Sequence, residues 1–142
     1  MGGARNDGDG VYAIPAPDGW WVREARPNPV REKSFEFALE IIGLNRALVD
    51  QKEYVISKQL MRSGTAVGAI IEEAIGAESR RDFLHKMSIA HKEAREVHYW
   101  LRLLDASTLL PGTDMGGPIN RANELVSLLT AITRTVKKST NK

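Results

Sequence analysis

The stretch SRRDFLHKMSIAHKEAREVHYWLRLLDA, residues 79–106, decides how the chain folds. Phe83, Met87, Ala90, Ala94, Val97, Leu101 and Leu104 recur at intervals of 4, 3, 4, 3, 4 and 3 residues. That alternation keeps the apolar side chains on one stripe of a helix. It is the seam of left-handed bundle packing, sustained over about three heptads. Ser79 is a suitable N-cap for this helix.

The flanking segments repeat the message. Residues 118–138 place Ile119, Ala122, Val126, Leu129, Ile132 and Val136 on one stripe, with Pro118 tolerated in the first turn. Arg134, Lys137 and Lys138 fall in the last turns, where cations complement the helix dipole. Residues 53–77 align Ile56, Leu60, Val67, Ile71 and Ala74, with Gly64 and Gly68 four apart on the flank. Two such glycines imply close helix packing. Residues 34–52 begin at Ser34, read as an N-cap. They carry Phe35, Ala38, Ile42, Leu48 and Val49, with Phe37, Ile41 and Leu44 beside them. An apolar arc this wide suits a helix packed on two neighbours. The expectation is an all-α protein, an antiparallel up-down four-helix bundle over 34–142, preceded by a non-helical arm over 1–33.

Proline draws that boundary. Pro15, Pro17, Pro27 and Pro29 all lie before residue 30, and none occurs between residues 30 and 110. An interior proline costs a helix about 3 kcal/mol, so the proline-free stretch is where helices can run. The arm holds an apolar island from Tyr12 to Val22 that includes Trp20 and Trp21. It reads as a cover for its own domain or as an arm for a neighbour.

Composition excludes several chemistries. With no cysteine, disulfides, thiolate catalysis and Cys-ligated metal centres are out, which suits a reducing cytoplasm. No apolar run approaches the roughly 20 residues of a membrane span. A di-metal bundle site needs Glu-x-x-His pairs, and none is present; no metal or cofactor is expected. There is no nucleophile elbow, phosphate-binding loop or zinc-protease helix, so no catalytic residue is assigned. His91 and His98, seven apart, read as members of a helix–helix boundary.

The run from Ser57 to Ala74 (SKQLMRSGTAVGAIIEEA) resembles the signature of a known family. So does the following run from Ser79 to Ala94, with Tyr99-Trp100-Leu101. The family comprises small bacterial four-helix-bundle proteins encoded in intervening sequences of large-subunit rRNA genes. The resemblance spans about 34–135 and leaves the arm outside. It implies a homopentamer, no catalysis and, through distant relatives that accompany diversity-generating retroelements, binding to nucleic acid or to a reverse transcriptase.

Two sets of residues follow. On the helix from 79 to 106, Tyr99 and Leu103 point away from the seam and Trp100 lies on its edge. With Trp20 and Trp21 they form the expected oligomer interface. The charge is uneven: net 0 over 1–33, −2 over 34–114 and +4 over 115–142. Lys58, Arg62, Arg81, Lys92, Arg134, Lys137 and Lys138 are the expected nucleic-acid contacts. Five-fold repetition would turn the C-terminal cations into a ring suited to phosphate. The overall expectation is a non-enzymatic scaffold binding RNA or DNA. The alternative is a protein-only adaptor that recognises a partner through the arm.

Overall fold

The first helix starts earlier than Ser34. A computed structural model describes residues 5–6, 12–15, 21–22 and 27–140, with side chains from residue 29 to 138. In it α1 runs Pro27–Asp50. Pro27 and Pro29 sit in its first turn, where a missing N–H costs nothing. Residues 27–33 therefore belong to the bundle and not to the arm. Ser34 is no cap. It is buried inside α1, and its hydroxyl donates to the Arg31 carbonyl at 3.0 Å.

Three more helices follow: α2 Val55–Ile75, α3 Arg80–Ser107 and α4 Gly116–Thr140. Each packs against the next, and α1 closes back on α4. Short turns join consecutive helices, so neighbours run antiparallel. Glu53 caps α2: its carboxylate accepts from the N–H groups of Val55, Ile56 and Ser57. The Ser79 hydroxyl accepts from the Asp82 N–H at 3.0 Å, as expected of an N-cap, and Asp82 reaches back to the Glu78 N–H. Before α1, three two- to four-residue strands, β1 Arg5–Asn6, β2 Tyr12–Pro15 and β3 Trp21–Val22, pair antiparallel in that order. The arm was expected to be non-helical, and its described backbone is extended.

All seven expected core residues of α3 are buried. In α4 Leu125 takes the inward place expected of Val126, which is half-buried. The correction in α1 is larger. Its buried stripe is Val30, Ser34, Phe37, Ile41 and Leu48. Phe35 (66% exposed) and Val49 (40% exposed), both expected in the core, face out together with Leu39.

The glycines of α2 explain this setting. A Cβ on Gly64 would stand 2.8 Å from two side-chain carbons of Ile41, and one on Gly68 would stand 3.3 Å from the Ser34 hydroxyl. The backbone of α2 thus lies directly on Ser34 and Ile41. That contact fixes the rotation of α1 and turns Phe35 outward. The Asn45 amide also donates to the Ser57 carbonyl at 3.0 Å, tying the other end of the same pair.

Candidate nucleic-acid interface

Three of the four helix seams are laced by ion pairs. Arg31 joins α1 to Glu72 of α2 at 2.6 Å. Arg62 joins α2 to Glu93 and Glu96 of α3, and Lys86 of α3 stands 3.9 Å from Glu73 of α2. Lys33 and Glu40 of α1 meet Glu124 and Arg121 of α4. Such half-exposed pairs contribute about 0–1 kcal/mol each, but they show where the acids are. A cleft of about 180 Å³ on the α1–α4 seam is lined by these same paired charges, Lys33, Glu40, Arg121 and Glu124, together with Glu36.

The α3–α4 seam differs. Among the described residues no ion pair crosses it. Its polar link is a hydrogen bond between His91 Nε2 and Thr130 Oγ1 at 3.0 Å. The Thr130 hydroxyl donates to the Val126 carbonyl at 2.8 Å, so Nε2 is the donor toward it.

The rows beside this seam carry a single acid, Asp105. At 100° per residue, Arg81, Ser88, Arg95 and Arg102 fall on one row of α3, and His91 and His98 on the adjacent one. His85, Lys92 and Tyr99 share the row facing straight out. The remaining acids of α3 lie on its other flank, toward α2, where Arg62 holds Glu93 and Glu96. Asp105 ends the His91–His98 row. On α4, Asn120, Ser127, Arg134 and Lys138 face outward and Lys137 sits toward α3. The acid of α4, Glu124, faces α1. Seven cations (Arg81, Lys92, Arg95, Arg102, Arg134, Lys137 and Lys138) thus share one face, all exposed. None forms an ion pair among the described residues.

Electrostatics agree with this segregation. His91 is held below the usual imidazole range by burial and then by the Arg95 charge. His98 is lowered by burial and then by Arg102. Burial pushes the Glu96 carboxyl up, but the hydrogen bond from Arg62 holds it below the usual range overall. Arg62 is raised by that same bond.

Of the seven expected contacts, Arg81, Lys92, Arg134, Lys137 and Lys138 come together on this face. Arg62 does not, because its charge is spent on Glu93 and Glu96. Lys58 is exposed on α2, away from α4. Arg95, Arg102 and the histidines were missed. The signal was present, since Arg81, Arg95 and Arg102 sit at heptad spacing.

Of the expected oligomer residues, Tyr99, Trp100 and Leu103 lie together on α3. Tyr99 is 48% exposed, Leu103 is half-buried, and Trp100 is half-buried against the core with Tyr99 edge-on at 5.2 Å. Trp20 and the side chain of Trp21 lie outside the described residues. The larger exposed apolar surface is the outward stripe of α1, Phe35 and Leu39 (66% and 56% exposed), with half-buried Ile42 behind them.

Among the described residues, no cluster of three His, Asp or Glu could hold a metal ion, and no helix is long and apolar enough to cross a membrane. The family described as 23S rRNA-intervening sequence protein matches residues 26–131. A crystal structure of a protein of unknown function from the S23 ribosomal protein family of Bacteroides thetaiotaomicron is similar. It shares 45% identity, covers 76% of this chain and 97% of its own, and superposes with a TM-score of 0.73. No curated protein matches the chain.

Proposed function

Because the chain belongs to the 23S rRNA-intervening sequence protein family, we propose that it is a non-enzymatic, homo-oligomeric scaffold that binds nucleic acid by its phosphate backbone. The observation that carries this is the α3–α4 face, where seven cations that form no ion pair among the described residues stand beside a single acid, Asp105. A cation without a partner can neutralise a phosphate and release the counterion condensed there, whereas a paired one must first give up its carboxylate. Scarce exposed aromatics among the described residues favour backbone contact over base stacking. A reverse transcriptase or another nucleic-acid enzyme working on the same strand is a compatible partner. A cytoplasmic setting fits a chain without cysteine.

Self-association is supported by the outward stripe of α1. Exposed Phe35 and Leu39, one helical turn apart, make an apolar patch that a lone bundle leaves in water. The pentamer implied by the resemblance is the specific form proposed.

The test is direct. Binding of labelled RNA and DNA should fall steeply between 50 and 200 mM salt; absence of binding at 50 mM overturns the nucleic-acid reading. Light scattering after size-exclusion chromatography should give a multiple of the 15.7 kDa chain mass, and a monomer at every concentration overturns the oligomer.

One observation favours a second reading. The family match begins at residue 26, leaving the arm outside it. An adaptor that recognises a protein through Tyr12–Val22 would lose its partner when residues 1–25 are removed, with the bundle intact.

A further inference from the structure

We infer that the α3–α4 face seats one turn of a nucleic-acid duplex, in preference to a single strand. The inference rests on the nucleic-acid reading above and deepens it.

The first argument is length. Arg81, Arg95 and Arg102 lie on one row, which drifts about 20° around the helix per heptad. Their 21-residue span at 1.5 Å per residue is roughly 32 Å, close to one turn of a duplex. Over that distance a duplex presents about 19 phosphates, one per roughly 1.7 Å of axis, already held in a rod. A single strand presents about half as many and must be straightened to match.

The second argument is what the face lacks. Single-strand binders recover affinity by stacking bases on aromatic rings, worth about 1–3 kcal/mol per base. Among the described residues the α3–α4 face offers one exposed ring, Tyr99. Phe35 and Tyr54, also exposed, belong to α1 and to the turn before α2. With phosphate attraction as the main source of affinity, the denser and stiffer partner binds better.

The third argument is width. Two helices side by side, each about 10–12 Å across and about 8–10 Å apart, form a slab near 20 Å wide. Neither the major groove of B-form DNA, about 12 Å wide, nor the narrower one of an A-form RNA duplex admits it. The face therefore rides on the two backbones. Its exposed neutral donors, Asn120, Asn123 and Ser127 on α4, suit phosphate and sugar oxygens, which fix register without reading sequence. The duplex is recognised by its shape and charge.

The experiment compares a labelled 20-base-pair RNA duplex with each of its strands, using the full chain and fluorescence anisotropy at 50 to 200 mM KCl. The duplex should bind at least about tenfold tighter than either strand at 50 mM. The double substitution Arg95→Gln/Arg102→Gln should lower the duplex salt slope by about 2 and remove the preference. Arg46→Gln, an exposed change on α1, should leave both unchanged. Circular dichroism and urea midpoints confirm that each variant is folded. Strand binding as tight as duplex binding overturns this inference and leaves the nucleic-acid reading standing. Absence of binding to any of the three at 50 mM overturns both.

Discussion

The outward faces of α1 and α3 point in opposite directions, since the two helices are diagonal in the bundle. They have opposite chemistry. On α1 the face is apolar, with Phe35, Leu39 and Ile42. On α3 it is basic, with Arg81, Lys92, Arg95 and Arg102. Both helices bury an equivalent inward stripe, so the core does not require this difference. Packing determines which side faces in; what stands on the other side is free to serve binding. In this molecule one outer side suits protein contact and the other suits phosphate.

The sharpest break of that contrast is within α1. Phe37→Ala, on the inward stripe, should destabilise by about 3–5 kcal/mol. Phe35→Ala, two residues away and outward, should change stability by about 0.5 kcal/mol or less under conditions where the chain is monomeric. Urea titrations measure both. Equal losses would mean that α1 is rotated differently in solution.

Next comes charge. The triple reversal Arg95→Glu/Arg102→Glu/Arg134→Glu should weaken duplex binding at least about 100-fold at 100 mM salt, because three favourable contacts become repulsive. The double substitution Phe35→Ser/Leu39→Ser should lower the oligomeric mass and change binding per chain only a few-fold. A matching loss from the α1 substitutions would merge the two faces into one site.

Glycine substitutions refine the setting of α1. Gly64→Ala places a methyl against Ile41 and should cost about 1–3 kcal/mol. Gly43→Ala, on the solvent side of α1 with nothing within 4 Å of the new methyl, should add about 0.5–1 kcal/mol. Thermal unfolding of the two variants should shift in opposite directions.

The smallest effect is that of pH on the basic face. His91 and His98 titrate below their unfolded range, near 6.5. The folded chain therefore binds fewer protons there than the unfolded chain. Their contribution to stability is full above about pH 6.5 and is lost as pH falls below it. The melting temperature should drop from pH 7.5 to pH 5, and drop less in His91→Gln/His98→Gln. An equal drop in both would place the acid sensitivity elsewhere.

Much of the fold was legible in the residues. The 4-3 spacing from Phe83 to Leu104 specified the α3 seam, because a strict heptad repeat leaves one stripe to bury. Pro111 and Pro118 bracketed the last turn, and Ser79 announced a cap. The start of α1 was misread because two prolines look like breakers unless they occupy a first turn. The basic face was half legible. The cations were visible, but their partners were not: Arg62 resembles Arg95 in the sequence, and only one of them meets glutamates from another helix.

By itself, then, the sequence determined the helix count, their order and the inward stripes of α2 and α3. Each of those depends on local propensity and on periodicity within one helix. The tertiary structure alone decided how α1 is rotated and which cations are free. α1 has two apolar stripes of similar strength, and the contact of Gly64 and Gly68 with Ile41 and Ser34 selects between them. A charge is free or spent according to what the neighbouring helix places opposite it, and that depends on register between helices, which no single helix encodes.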